Sequence, residues 1–393
     1  MIPLLDWAVF ALGTPVFACA AYLLSLTLLS ARLPTPKASA PTTRFRIVIP
    51  AHDEAAGIAS TIENLRSLDY PRDLFDILVI ADNCTDDTAI RAREAGAAVL
   101  ERRDDAQRGK GYALKYAFEQ LPETIDAVVV IDADTVVSPN LLRAFAARLD
   151  LGARAAQADY AVRNAGAGWR TRLMAIAFGA FHIVRSRARE RMGVSAGLRG
   201  NGMCFTASVL REVPHDAFSI VEDVEYGIRL GHAGHRVFYA DEAHVYGEMV
   251  SSAKSARSQR ERWEGGRATL LRRHASTLVK RGLAGNGLLL DLAADMLVPP
   301  LSRIVGAAAL GMLAATAGSA VTGGFAASRT GFAASLAAIA VYVLRGWSVS
   351  GTGARGLADL ALAPWFMVWK LTLGRSAPAR ADAEWVRTTR EKV

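Results

Sequence analysis

Residues 127–134 read Ala-Val-Val-Val-Ile-Asp-Ala-Asp, an apolar run that ends in two acids. An apolar run of this length is typical of a strand whose two faces are both covered by helices in a parallel sheet. Ligands of such sheets bind at the carboxyl ends of the strands, which is where Asp132 and Asp134 fall. Carboxylate oxygens are preferred ligands of Mg²⁺ and Mn²⁺. The alternative is that both acids cap a helix beginning near Pro139.

Two further strands are predicted upstream, over residues 45–49 and 76–80. A helix is expected to start near Asp53, so strand and helix signals alternate. This alternation predicts βαβ units and a mostly parallel α/β sheet. Asp82 follows the second strand, where it lies either at the same ligand-binding edge as Asp132 or in an ordinary turn.

Beyond residue 150 the pattern is less regular. Residues 169–192 predict a long basic amphipathic helix, which either lies along a membrane surface or forms a solvated helix edge. Residues 200–205 predict a strand with a close backbone approach at its start. A helix over residues 224–233 should end at Gly234.

An uncharged segment over residues 7–31 is long enough to cross a bilayer, because about 20 apolar residues suffice. It lacks a preceding basic residue and is too long for a signal-peptide core, so residues 1–32 are interpreted as a retained anchor. Residues 33–44 form a linker rich in Pro, Thr, Ala and Ser. The α/β domain is assigned to residues 45–280.

A second apolar region at residues 288–346 predicts two transmembrane helices, over 304–328 and 330–344, with a kink at Pro299-Pro300. Residues 356–373 predict an interfacial amphipathic helix or a third membrane helix. Basic residues cluster after the anchor and in the tail 374–393, which places the α/β domain and the tail in the cytoplasm. The expected location is the inner (plasma) membrane, with several spans.

Composition narrows the function classes. The net charge is +8 and the hydrophobic fraction is 51%. Aromatic-plus-basic signatures of nucleic-acid-binding domains are absent, so anionic lipid headgroups and a diphosphate substrate explain the charge better than nucleic acid. The three cysteines are far apart, which disfavours a disulfide framework or a zinc site and fits a reducing compartment.

Three more groups carry candidate chemistry. Lys110, between two glycines, can meet either a phosphate or the nucleotide base, but the segment does not complete a Walker A loop. Glu222 and Asp223 precede a helix, so they either cap it or supply a general base. Asp223 is preferred as the base, with Glu222 orienting the acceptor or the base.

An aromatic and a cation also fall in one predicted helix. Arg262 can pair with a diphosphate, and Trp263 offers a flat face to a sugar ring or acts as an interfacial anchor. Gln259 lies one helical turn earlier.

Six motifs occur in a fixed order between residues 45 and 270. They are VIPAHDE (48–54), IADNCTD (80–86), RGKG (108–111), IDAD (131–134), VED (221–223) and QRERW (259–263). The ordered set resembles the family-two glycosyltransferases with the GT-A fold, a Rossmann-like, mostly parallel sheet. More narrowly it resembles their membrane-integrated branch, which includes cellulose, chitin and hyaluronan synthases and bacterial exopolysaccharide transferases.

The resemblance implies a role for each matching position. The nucleotide-sugar side would consist of Pro50, Ala51, Glu54, Asp82, Lys110 and Asp132. Asp134 would be the main metal ligand, with Asp132 beside it, and Asp223 would be the base. The acceptor and diphosphate side would consist of Gln259, Arg262 and Trp263.

The implied activity is an inverting, metal-dependent transfer of a hexose or N-acetylhexosamine from a UDP-sugar to a polysaccharide or a lipid-linked acceptor. Membrane lipids and envelope-biosynthesis proteins are the expected partners. Two departures bear on this expectation: Val221 stands where many synthases have threonine, and the C-terminal membrane region is small for a polymer channel. The alternatives are a polyprenyl-phosphate glycosyl transferase and a catalytically silent scaffold of the same fold.

Overall fold

The computed structural model describes residues 2–37, 40–249 and 253–365; side chains are described for residues 3–37, 40–249 and 264–365. Eight strands form one sheet: β1 Phe45–Ala51, β2 Phe75–Asp82, β3 Ala98–Arg102, β4 Ala127–Val130, β5 Val136–Val137, β6 Ala155–Val162, β7 Met203–Thr206 and β8 Val237–Gly247. The helices are α1 Ile2–Leu28, α2 Ile58–Arg66, α3 Thr88–Glu94, α4 Lys110–Phe118, α5 Leu141–Asp150, α6 Trp169–Phe178, α7 Arg185–Arg191, α8 Ala207–Glu212, α9 Glu222–His232, α10 Ala253–Leu283, α11 Gly287–Leu297, α12 Leu301–Thr322, α13 Ala326–Val349 and α14 Gly353–Asp359.

The strand order is β3-β2-β1-β4-β7-β6-β8-β5. The pairings make β1, β2, β3, β4, β6 and β8 run in one direction, while β5 and β7 run in the other. The predicted mostly parallel α/β sheet is therefore confirmed. The carboxyl ends of β1, β2 and β4 meet at one edge of the sheet, which brings the residues after each strand together.

Strand β4 explains why its sequence is apolar throughout. Ala127 and Val129 pack into the hydrophobic core on one side of the sheet, whereas Val128 and Val130 pack into the core on the other. All four residues are fully buried. Ile131 is buried as well, so the first accessible side chain after this strand is that of Asp132.

Several predicted boundaries need correction. The helix expected near Asp53 begins at Ile58, because Asp53 adopts a left-handed backbone in the preceding turn. The strand predicted to start at Gly200 begins at Met203, after left-handed backbone at Gly200 and Gly202.

The basic segment 169–192 consists of α6, a π-helical turn over Gly179–Val184, and α7. The two predicted placements, along a membrane surface or at a solvated helix edge, do not describe all of its arginines. Arg185 and Arg189 are buried and form ion pairs with Asp295 and Asp291 of α11, so this part of the helix faces protein. Arg170, at the other end of the segment, is exposed.

Within the described residues, three helices are long and apolar enough to cross a membrane: Pro3–Leu28, Leu301–Thr322 and Ala326–Val349. Near the start of α1, the Asp6 carboxylate accepts a hydrogen bond from the Ser328 hydroxyl in α13 (2.6 Å). Just beyond the C-terminal end of α1, the Ser30 hydroxyl accepts a hydrogen bond from Arg345 Nε of α13 (2.9 Å). Helices α1 and α13 therefore run parallel to each other. Helix α12, which precedes α13 in the chain, runs in the opposite direction.

The predicted span over residues 304–328 is corrected by a break in the helix. Helix α12 ends at Thr322, and both Gly323 and Phe325 adopt left-handed backbone before α13 begins. The second helix is longer than the predicted 330–344. Helix α14 and a short 3-10 turn, Leu360–Leu362, follow it. Residues 366–373 of the predicted interfacial segment and the tail 374–393 lie outside the described residues.

Candidate active site

The Lys110 side chain contacts residues from three separate segments of the chain. Its Nζ donates to Asp132 Oδ1 (2.5 Å) and to the Gly200 carbonyl (2.5 Å), and it lies 3.7 Å from Glu222 Oε1. Burial opposes the charged form, but the carboxylates of Asp132 and Glu222 outweigh it and raise the pKa of Lys110 above its ordinary value. Lys110 is therefore a permanent cation that fixes the end of β4 against the start of α9.

The segment between α7 and β7 lies close to the same cluster. A Cβ built on Gly200 would lie 3.5 Å from Asp223 Oδ2 and 3.8 Å from Lys110 Nζ. The next residue, Asn201, accepts a hydrogen bond from the Asp132 backbone N–H (3.1 Å) and donates to Thr135 Oγ1 (2.8 Å). Asn201 thus holds the turn that carries Asp132. Sequence reasoning missed this role, although the left-handed Gly-Asn-Gly pattern indicated a close approach.

Glu222 and Asp223 occupy the first turn of α9. The residue at the N-cap position is Val221, and it makes no side-chain capping bond, so neither acid caps the helix from that position. Glu222 is buried, whereas Asp223 is half-buried and more accessible. Burial raises the pKa of both carboxyls, and repulsion between them adds to the effect on Glu222.

Asp132 and Asp134 flank the buried Ala133 and are both half-buried on the open edge of the sheet. The capping alternative is wrong for them, because α5 begins at Leu141 with Asn140 at its N-cap. The donor set fits a divalent cation. It offers hard carboxylate oxygens, and the cluster contains more acids than the single Lys110 ammonium neutralises.

Asp82 is fully buried at the end of β2, so it is not an ordinary turn residue. Its Oδ1 accepts a hydrogen bond from Arg102 Nη1 (2.7 Å), while its Oδ2 is buried and has no hydrogen-bond partner among the described residues. Burial raises the pKa of this carboxyl, and Arg102 opposes the rise. A buried oxygen without a donor is available to a ligand N–H or O–H. Arg102, at the end of β3, was not singled out from the sequence.

The remaining predicted residues are distributed as follows. Pro50 and Ala51 are buried at the end of β1, opposite Ile80 and Ala81 of β2. Glu54 follows them, and its backbone N–H donates to Thr88 Oγ1 (2.8 Å). Gln259, Arg262 and Trp263 fall within α10, but their side chains lie outside the described residues.

Gly111 provides a direct test of how tightly this cluster is built. A Cβ at position 111 would lie 2.0 Å from the Ala217 carbonyl oxygen in the segment before α9. Gly111→Ala is therefore expected to push that segment away from α4 and destabilise the protein by about 1–3 kcal/mol, as overpacking does. Thermal unfolding of the detergent-solubilised chain measures this effect. Gly166→Ala is the matched control, since a Cβ there meets nothing within 4 Å. Equal unfolding midpoints for the two variants would contradict the close contact.

Known proteins with similar sequences indicate the family of this chain. A family model described as glycosyltransferase-like family 2 matches residues 41–266. The chain is similar to the probable glycosyltransferase YdaM of Bacillus subtilis, with 26% identity over 57% of this chain and 55% of that protein. It is also similar to the beta-monoglucosyldiacylglycerol synthase of a Synechocystis species, with 30% identity over 58% of this chain and 48% of that protein. The chain thus spans about half the length of these relatives.

Among solved structures, the chain is similar to a mannosyltransferase from Pyrobaculum calidifontis in complex with GDP-Man and Mn²⁺. The TM-score is 0.55, the identity is 18%, and the match covers 88% of this chain and 99% of that chain. At this identity the likeness shows the fold alone. It agrees with the predicted GT-A fold.

Proposed function

The chain belongs to the glycosyltransferase-like family 2, and we propose that it is an inverting, membrane-bound enzyme. It transfers a hexose or N-acetylhexosamine from a UDP-sugar to a polysaccharide or lipid-linked acceptor. The observation that carries this proposal is the convergence of Asp132, Glu222 and Asp223 around Lys110 at the carboxyl edge of the sheet. This is the edge at which parallel sheets bind their ligands.

The nucleoside is assigned to the ends of β1 and β2. Pro50, Ala51 and Glu54 form one wall, and Asp82 supplies the polar contact. Its unpartnered Oδ2 suits the ring N–H of uracil, a donor that the buried oxygen otherwise lacks. Arg102 keeps Asp82 in place from the other side.

Asp134 and Asp132 would hold Mg²⁺ or Mn²⁺, with Asp134 as the main ligand. When bound, the cation neutralises negative charge on the diphosphate. Lys110 keeps Asp132 oriented through their 2.5 Å hydrogen bond and adds a fixed positive charge. The leaving diphosphate would therefore lie close to positive charge.

Asp223 acts on the acceptor. Its carboxylate takes the proton from the acceptor hydroxyl while that oxygen attacks the anomeric carbon of the sugar. The bond from the anomeric carbon to the diphosphate oxygen breaks, and attack from the opposite face inverts the configuration. Glu222, buried 3.7 Å from Lys110, holds the start of α9 in position.

The acceptor side is assigned to Gln259, Arg262 and Trp263. A membrane location of the protein is supported by three helices of spanning length in the described part of the chain, α1, α12 and α13. The proposed location is the inner membrane, with the catalytic domain in the cytoplasm, in contact with membrane lipids and envelope-biosynthesis proteins. One relative is a beta-monoglucosyldiacylglycerol synthase, a name that refers to a glucosylated lipid, and this supports a lipid-linked acceptor.

Release of nucleoside diphosphate tests the proposal. The full chain in detergent, supplied with Mn²⁺ and a panel of UDP-sugars, is expected to release UDP; GDP-mannose serves as the comparison donor. UDP binding without turnover across the panel would instead favour a silent scaffold. Release from GDP-mannose alone would overturn the choice of UDP.

Metal removal gives a separate prediction. EDTA is expected to slow UDP release by about a hundredfold, because a bound cation stabilises a developing charge by several kcal/mol. Addition of excess Mn²⁺ or Mg²⁺ should restore the rate, and EDTA already saturated with Mn²⁺ serves as the control for other effects of the chelator. An unchanged rate in EDTA would contradict a role of Asp132 and Asp134 as metal ligands.

A further inference from the structure

Four arginines lie close together where the catalytic domain meets the membrane helices. They come from α7, from the segment before β7 and from α10, and they are Arg185, Arg189, Arg199 and Arg267. Within the described residues, the carboxylates that lie within 4 Å of them are those of Asp291 and Asp295 in α11. The cluster therefore holds more positive than negative charge.

Asp295 serves three of these arginines. It lies 2.9 Å from Arg185, 3.3 Å from Arg189 and 3.8 Å from Arg267. Asp291 pairs with Arg189 at 2.6 Å. The ion pairs that these two acids form within 4 Å are thus with arginines other than Arg199, although the charge of Asp295 also acts on Arg199.

Arg199 is the arginine for which the described residues offer no carboxylate within ion-pair distance. Its Nη2 donates to the Ala196 carbonyl (3.1 Å), but its Nε is buried and has no hydrogen-bond partner in the part of the chain that the structure describes. Burial lowers the pKa of Arg199 to about 10; the charge of Asp295 opposes this effect, and the charges of Arg189 and Arg185 add to it. The side chain of Arg199 is half-buried, and a partly desolvated cation without an ion pair favours a bound anion.

An aromatic ring organises the cluster. Phe181 lies in the π-helical turn between α6 and α7, and such turns are frequent at functional sites. The guanidinium carbons of Arg199, Arg185 and Arg267 lie 4.5, 4.8 and 5.7 Å from the centre of its ring. Three cationic groups therefore lie within 6 Å of the centre of one aromatic ring.

The position of Arg199 relates the cluster to the reaction. Arg199 directly precedes Gly200, which lies against Asp223, and its charge acts on the pKa of Asp223 in the lowering direction, against burial. On the other side, Arg185 Nε donates to the Tyr342 hydroxyl of α13 (2.9 Å). The cluster thus lies between the general base and a membrane helix.

We propose that Arg199, with Arg185 and Arg267 around Phe181, forms a subsite for a phosphate group carried by the acceptor. The inference rests on the proposed function, because it takes Asp223 as the base that receives the proton of the attacking acceptor oxygen. Guanidinium groups suit phosphate through paired, charge-assisted hydrogen bonds. Since Lys110 and the cation-binding acids are assigned to the donor diphosphate, the Arg199 subsite is assigned to a lipid phosphate entering from the membrane side.

Binding of matched lipids tests the subsite. The probes are farnesyl phosphate and farnesol, which differ only in the phosphate, titrated calorimetrically into the full chain in detergent. Farnesyl phosphate is expected to bind, and Arg199→Gln should weaken it about tenfold or more, as loss of a charged hydrogen bond does. Arg303→Gln, at an exposed arginine in the first turn of α12, is the matched control and should bind as wild type. Equal binding of both lipids, or no effect of Arg199→Gln, would overturn the inference.

Donor binding separates this subsite from the donor site. Arg199→Gln should leave UDP affinity unchanged; loss of UDP affinity would assign Arg199 to the donor diphosphate and overturn the proposal. Its unfolding midpoint should not fall, because an unpaired charge is removed, whereas a purely structural arginine would lower it. Arg199→Lys, which keeps the charge, should recover part of the farnesyl phosphate affinity. Wild-type UDP release with unaltered lipid binding in Arg199→Gln would sink this inference and leave the proposed function intact.

Discussion

Asp223→Asn is expected to lower the rate of UDP release by about a thousandfold, within the range that a general base contributes. Asparagine keeps the shape of the side chain but cannot take a proton from the acceptor. Asp223 is half-buried beside Gly200, where the carboxylate is more accessible than that of Glu222. Steady-state UDP release with Mn²⁺ and the preferred donor measures the loss, and a UDP titration should show nearly unchanged affinity.

Glu225→Gln is the matched control for this experiment. Glu225 lies in the first turn of the same helix, and its carboxylate accepts a hydrogen bond from the Ser219 backbone N–H (3.0 Å). The substitution changes the charge at the helix start by the same amount, so it reproduces any effect on the helix dipole. Turnover by Asp223→Asn at the rate of Glu225→Gln would end the assignment of Asp223 as the base.

The fold could be predicted because its central strands carry an unmistakable pattern. A strand such as β4, apolar on both faces, belongs inside a parallel sheet, and the structure buries its two faces in separate cores. The reversed direction of β7 could not be predicted. Its apolar sequence is compatible with either direction, and its pairing with β4 and β6 depends on residues far away in the chain.

The candidate site likewise contains residues that could be predicted from the sequence and residues that could not. Acids that follow strands, such as Asp82 and Asp132, are visible in the sequence because the strand signal locates them. The groups that hold them, Arg102 and Asn201, come from a strand end and a turn whose positions depend on the tertiary fold. No local pattern distinguishes such residues from ordinary surface polar residues.

The arginine cluster was missed for a different reason. Arg185 and Arg189 were interpreted as part of a basic surface, although they are four residues apart and so share one helix face. Asp291 and Asp295 have the same spacing in α11. Two charged pairs of opposite sign with equal spacing indicate facing helices, and this signal could have been found from the sequence.

Asp295→Asn is expected to destabilise the protein by about 3–5 kcal/mol, the cost of breaking a buried ion pair from one side. The Asp295 side chain is only 10% exposed and lies within 4 Å of Arg185, Arg189 and Arg267. Removing its charge leaves these cations facing one another and Arg199, with Asp291 as their remaining partner in the described part of the chain. The unfolding midpoint of the detergent-solubilised protein measures the effect, and Asp73→Asn, at an exposed aspartate, is the control.

A second substitution identifies the source of that destabilisation. If excess positive charge is responsible, Arg199→Gln combined with Asp295→Asn should recover part of the lost stability, because it removes the cation that has no acid of its own within the described residues. If Asp295 acts only through shape and local hydrogen bonds, the two effects should be additive and no recovery should appear. An Asp295→Asn midpoint equal to that of Asp73→Asn would show that the cluster contributes nothing to docking the catalytic domain on α11. The charge-balance argument for Arg199 would then lose its physical basis, whatever the outcome of the lipid titrations.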